Sequence, residues 1–173
     1  MSTSPELDEI DRRILLARDR SPGASSVELA RISGLSRNTV QARLKRLEQA
    51  DVLGAPSHRI APKALGHPVL AFVAIELVQG NPRSVAESLR DIPEVLDVYA
   101  VSGDGDLMAR VAARDNGHLY RVTQRILRAP GIVRTRSTLV MYELIPTRLG
   151  PLLRAASGHD ALKGTEAAST TTS

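Results

Sequence analysis

Residues 25–49 read SSVELARISGLSRNTVQARLKRLEQ. Ser25-x-x-Glu28 has the form of a capping box, in which a hydroxyl and a carboxylate three residues apart satisfy the first free N–H groups of a helix. That helix continues through Leu29, Ala30 and Ile32. Ser33-Gly34-Leu35 makes a short turn, and Ser36 caps a second helix whose Val40, Leu44 and Leu47 recur on one face. A helix-turn-helix needs a small residue where the helices touch, a glycine in the turn, and a β-branched residue fastening the second helix to the core. Ala30, Gly34 and Val40 meet those needs, and Leu29, Leu35 and Leu44 fill the accompanying apolar positions. Gly34 suits the turn because positive φ strains glycine least.

The polar face of the second helix carries Ser36, Arg37, Asn38, Gln41 and Lys45. Arg and Lys read guanine edges in the major groove, and Asn and Gln read adenine edges. Ser36, Thr39, Arg43 and Arg46, with Arg59 further on, suit phosphate contacts. The competing reading is an ordinary three-helix domain with a solvated basic face, and the distribution of charge weighs against it. The chain carries 23 bases, 20 of them arginine, against 19 acids. Residues 31–63 hold seven bases against Glu48 and Asp51, while residues 1–30 are net acidic and the remainder is nearly neutral. A basic window centred on a helix-turn-helix is the electrostatic footprint of a polyanion partner, here double-stranded DNA.

Upstream, Leu7, Ile10, Ile14 and Leu15 form one apolar stripe, predicting a first helix from a Ser4-Pro5 start to a Ser21-Pro22-Gly23 stop. Downstream, residues 54–68 read as a connector with one short strand near His58–Ile60. Then come strand 69–78, a helix opening at Asn81-Pro82, strands 95–103 and 106–113 joined by Asp104-Gly105, a helix from Asn116 to Pro130-Gly131, and strand 132–144. This β-α-β-β-α-β order predicts an α+β ferredoxin-like unit over 69–147. Strand 69–78 is apolar on both faces, and helices cover only one face of such a sheet, so the other face is expected to pack on a second copy of the chain. The tail 155–173, poor in bulky apolar residues, reads as disordered.

Composition narrows the function classes. No cysteine is present, which excludes disulfide scaffolds, thiol catalysis, zinc fingers and iron–sulfur clusters. Phe72, Tyr99, Tyr120 and Tyr142 are the only aromatics, too few for base-stacking platforms. No apolar run reaches the ~18 residues of a membrane span, and the polar, acidic start is unlike a signal peptide. The expectation is a cytoplasmic protein with no membrane partner and no cofactor. His58, His67, His118 and His159 show no metal-ligand spacing, so no metal site is expected.

With LDEIDRRIL (7–15), LARISGLSRNTVQARLKRLEQADVL (29–53), the β-α-β-β-α-β unit and TRSTLVM (135–141) in that order, the chain resembles the Lrp/AsnC (feast/famine) transcription regulators. The resemblance implies a winged-type helix-turn-helix domain at 1–53 and an effector-binding, oligomerising RAM-type domain at 69–147. It also implies dimers formed through the sheet, which assemble further, commonly to octamers, and a small-molecule effector, usually an amino acid. The family's G-x-aromatic-D segment reads Gly103-Asp104-Gly105-Asp106, with Gly105 in the aromatic's place. Gly103, Asp104 and Asp106, with Thr135, Ser137 and Thr138 on the last strand, are the implied effector-binding residues. That chemistry suits an amino acid, since a carboxylate meets its ammonium group while hydroxyls or free N–H groups meet its carboxylate. A simpler reading makes Asp104-Gly105 a hairpin turn with Asp106 stabilising it.

A sequence-specific, non-enzymatic, effector-tuned regulator is therefore expected. One alternative is an enzyme on the same scaffold, resembling tetrapyrrole decarboxylases, with His118 as the only histidine inside the sheet domain's regular structure. A low-specificity, nucleoid-type DNA-packing protein is another.

Overall fold

A computed structural model describes residues 6–78, 82–103 and 105–156. Three helices open the chain: α1 (Glu9–Arg20), α2 (Ser26–Ser33) and α3 (Arg37–Gln49). Their shared core is Ile14, Ala17, Leu29, Ala30 and Val40, with Ile10, Leu35 and Leu44 packed around it. The boundaries are set locally. Ser25 and Glu28 form the reciprocal capping box, and Gly34 closes α2 in the left-handed conformation at φ 66°. Ser36 caps α3, its hydroxyl accepting from the Thr39 N–H. The start of α1 differs from expectation. Asp8 is its N-cap, in a reciprocal box with Asp11, whereas Ser4 and Pro5 lie outside the described residues. Aspartate at the third helical position does the work usually given to Glu or Gln.

After α3 the chain enters two 3₁₀ turns, Pro56–Arg59 and Pro62–Leu65. The strand expected near His58–Ile60 is absent. Pro56 and Pro62 remove two N–H groups from this stretch, and the Ile60 N–H closes on the Ser57 carbonyl instead of a neighbouring strand.

The sheet unit follows as β1 (Val69–Leu77), α4 (Pro82–Leu89), β2 (Val95–Ala100), β3 (Leu107–Ala113), α5 (Asn116–Leu127) and β4 (Ile132–Leu139). The strand order is β2-β3-β1-β4, antiparallel throughout, with β1 and β3 central. β4 stops five residues short of the expected 144. The last pairing is Ala71 with Leu139, and Val140 adds one hydrogen bond to the Leu70 carbonyl. Alternation sorts the side chains. Val73 and Ile75 of β1, Leu107, Ala109 and Val111 of β3, Val85 and Leu89 of α4, and Val122 and Ile126 of α5 build one buried core. The opposite face presents Phe72, Ala74, Met108, Arg110, Asp97 and Tyr99 in register.

By internal packing the chain divides into two units, Pro56–Leu144 and a first unit that joins residues up to Ala55 to the chain from Ile145 onward. Much of the segment expected as a connector thus belongs to the sheet unit. In the first unit, residues 150–156 are helical. Gly150 lies against the end of α1, so that an added Cβ would stand 2.9 Å from Asp19 Oδ2. Residues 157–173, the greater part of the tail expected to be disordered, lie outside the described residues.

Candidate nucleic-acid interface and ligand loop

α3 is held by Val40 and Leu47, both fully buried, and this sets which residues face outward. Arg37, Asn38, Gln41 and Lys45 are exposed. Gln41 reaches back to the Ser26 hydroxyl at 3.4 Å. Ser36 and Thr39, expected at phosphates, share a 2.8 Å hydroxyl–hydroxyl hydrogen bond at the helix start. Ser36 also accepts from the Thr39 N–H at 3.1 Å. The hydroxyls therefore sit at the positive end of the α3 dipole, where an anion is favoured.

Arg43 and Arg46 are placed differently. Arg43 donates from Nη1 to Asp8, and to Asp11 Oδ1 at 3.3 Å, and Arg46 donates to Asp11 Oδ2. Asp11 is wholly buried. Burial pushes the Asp8 carboxyl up, but the Asp11 N–H and the Arg43 guanidinium outweigh it and hold it at about 2. The hydrogen bond to Asp8 raises Arg43 above its ordinary value. This four-residue cluster is what the sequence reading missed. Its signal was present in the acidic first turn of α1, but the partners lie 32 and 35 residues away. Arg13 makes a further tie between helices, donating to the Ser33 carbonyl at the end of α2.

In the sheet unit, Gly103, Gly105 and Asp106 gather at the far end of β1. Asp104 falls outside the described residues. The Asp106 N–H donates to the Ile75 carbonyl at 2.9 Å, and Asp106 Oδ2 accepts from the Leu77 N–H at 2.8 Å. One carboxylate oxygen therefore closes the end of β1. Gly105 packs so closely that an added Cβ would meet the Ile75 carbonyl oxygen at 3.3 Å, at a φ of 119°. On β4, Thr135 stands opposite Ile75 and Ser137 opposite Val73, on the helix-covered side, while Thr138 stands opposite Phe72. The register therefore splits the three hydroxyls between the two faces.

The other titratable cluster is at the opposite end of the sheet. His118 accepts the Arg114 N–H on Nδ1, which leaves Nε2 to donate to Glu94 at 3.2 Å, and Arg125 donates to the same carboxylate at 3.0 Å. Burial raises the Glu94 pKa, but its own backbone N–H, Arg125 and His118 lower it more, and the net shift is downward. Both nitrogens of His118 are thus occupied within the fold, unlike a histidine turned toward a substrate. Among the described residues no group of three or more His, Asp or Glu side chains is arranged to hold a metal. No described helix is long and apolar enough to cross a membrane.

Two family models match the chain: a winged helix-turn-helix DNA-binding model over residues 7–53, and an Lrp/AsnC ligand-binding domain over residues 70–149. The transcriptional regulator LrpA of Mycobacterium tuberculosis is 38% identical over 136 residues, covering 78% of this chain and 90% of its own length. The regulator FL11 of Pyrococcus horikoshii is 30% identical over 135 residues, covering 78% of this chain and 89% of its own. Among solved structures, a feast or famine regulatory protein from M. tuberculosis, complexed with L-methionine, superposes with a TM-score of 0.73 at 35% identity. That match covers 83% of this chain and 97% of the other.

Proposed function

Because the chain belongs to the Lrp/AsnC family of DNA-binding transcription regulators, we propose that α3 reads a specific operator and that the Gly103–Asp106 loop takes an amino acid. The observation that carries the first part is the exposed row Arg37, Asn38, Gln41 and Lys45 on a helix whose other face is locked into the core. Those four side chains match guanine and adenine edges, and Ser36 and Thr39 sit where a phosphate would meet the helix start. The effector reading draws support from the relative solved with L-methionine. Asp106 keeps one oxygen on the Leu77 N–H and offers the other to an ammonium group, with Thr135 beside Ile75 as the nearest hydroxyl in register. Asp104 belongs to the same loop by sequence; Ser137 and Thr138, further along β4, are secondary contacts.

We read the outer sheet face as the surface of a homodimer. Phe72 and Tyr99, half of the chain's aromatics, stand on it 41% and 57% exposed. Large aromatics exposed together on one sheet face mark an interaction surface, and a second copy of the chain is the simplest partner. Assembly of such dimers into an octamer would follow the family habit.

The decisive experiment selects binding sites from random duplexes with the full chain. Changing Arg37, Asn38 and Gln41 together to alanine is expected to reduce preference for the selected site by about a hundredfold or more, since each base contact contributes about 1–3 kcal/mol. Undiminished preference would refute the recognition-helix assignment. For the effector, thermal shift against L-methionine and the other common amino acids should show stabilisation that Asp106→Asn loses. Asn keeps an oxygen for Leu77 and gives up only the charge. A flat panel would refute that reading.

A further inference from the structure

We propose that Asp8 and Asp11 withdraw Arg43 and Arg46 from the phosphate-binding set of α3, leaving Arg37 and Lys45 as its DNA-facing charges, with the buried Asp11 carboxylate setting the angle of the helix. The inference rests on the DNA-binding reading and changes which residues carry it. Four bases lie on α3, and by sequence Arg37 and Lys45 suit base edges while Arg43 and Arg46 suit phosphates. Pairing, not exposure, separates them: Arg37 and Lys45 are exposed, whereas Arg43 and the 46% exposed Arg46 are both joined to carboxylates at the start of α1.

The physical argument is one of desolvation. Asp11 is completely shielded from water, and its two oxygens receive Arg43 and Arg46 separately. Pulling either guanidinium toward a phosphate leaves one Asp11 oxygen without its cation where no water reaches it, and that loss is costly. A solvent-exposed phosphate contact returns less than that. The cluster is also neutral within itself, two carboxylates against two guanidiniums, so it contributes little to the field that attracts DNA. The Asp8 side chain is half-exposed and meets Arg43 and the Asp11 N–H, so it can be removed without uncovering the core. Asp11 meets α3 at two points one helical turn apart, and two such points fix rotation of the helix about its axis.

The slope of log affinity against log salt counts released counterions, about 0.9 for each phosphate neutralised. The probe is a short mixed-sequence duplex titrated with the full chain over a range of sodium chloride. On such a duplex, which offers no operator bases, Arg37 and Lys45 meet phosphates, and Arg37→Gln and Lys45→Gln are each expected to reduce the slope by about 0.9 per recognition helix. Arg43→Gln and Arg46→Gln should leave it unchanged while lowering the melting temperature. Asp8→Asn leaves Arg43 on Asp11 alone and the cluster with one positive charge in excess, which should steepen the slope by up to about 0.9 per recognition helix, and since Asn caps a helix as well as Asp does, the variant keeps its fold. Glu9→Gln removes the same charge from the same turn without freeing Arg43, and should not change the slope.

A slope that falls with Arg43→Gln or Arg46→Gln, or that ignores Asp8→Asn, overturns the proposal. A parent chain showing no salt-dependent binding overturns the DNA-binding reading itself, so the two failures are distinct.

Discussion

Gly34 and Gly105 both hold positive φ, yet their surroundings differ in a way that ranks their tolerance to change. A methyl at Gly34 would approach Arg13 Nη2 at 3.2 Å, the far end of a flexible side chain. At Gly105 it would meet the Ile75 carbonyl oxygen, a backbone atom fixed in the central strand. Gly34→Ala is expected to destabilise by about 1 kcal/mol, the usual strain of a left-handed residue. Gly105→Ala adds a contact that cannot relax, and is expected to reach about 2–3 kcal/mol. Urea unfolding of the two variants checks the order, and a smaller loss at Gly105 would contradict it. The same packing bears on the missing aromatic of the ligand loop. Restoring it means moving the backbone at 105 away from β1, so the sequence change and the local conformation go together.

At the scale of elements, α1 and α3 are joined by charge as well as by Ile14 and Val40. Asp8 titrates at about 2 in the folded chain against an ordinary 3.8. A folded-state value below the unfolded one stabilises wherever the carboxyl is ionised in both states. That contribution is complete above about pH 4 and disappears as the pH falls through 2. With the side chain 46% exposed, solvent screening keeps it under about 1 kcal/mol. Thermal melts between about pH 5 and pH 2 should show the parent losing more stability than Asp8→Asn, with Arg43, Asp11 and Arg46 as the charged neighbours sharing the effect. Parallel curves would argue against it. The helices were legible in the sequence because caps and spacings are local: Ser25 with Glu28, Ser36, Gly34, Val40 with Leu44 and Leu47. Hydrophobic runs located the strands, but not where pairing stops, which depends on a partner. β4 ends at Leu139 although TLVMYEL continues the same pattern, and Ile60 finds no strand to join. The Asp11 cluster escaped notice for the same reason, since nothing near Arg43 in sequence marks it as engaged.

For the molecule as a whole, the outer sheet face carries the assembly prediction. Phe72→Glu combined with Tyr99→Glu places two charges on that face without touching the core of Val73, Ile75 and Val111. Light scattering on the purified variant is expected to give the mass of one chain where the parent gives two or more, and an unchanged mass would exclude this face as the dimer surface. The division into two units was visible in the change from helical to alternating patterns, but the return of the chain from Ile145 to the first unit was not. That return brings Gly150 against Asp19, residues 131 apart. The joining of α1 to α3 also limits how the recognition helix can be reused. Grafted alone onto a relative's scaffold, residues 37–49 would arrive with two guanidiniums released from their carboxylates, and would bind any duplex more tightly while discriminating less. The transferable cassette is therefore α1 and α3 together, and exchange of operator preference between relatives should succeed only when Asp8 and Asp11 travel with the helix they hold.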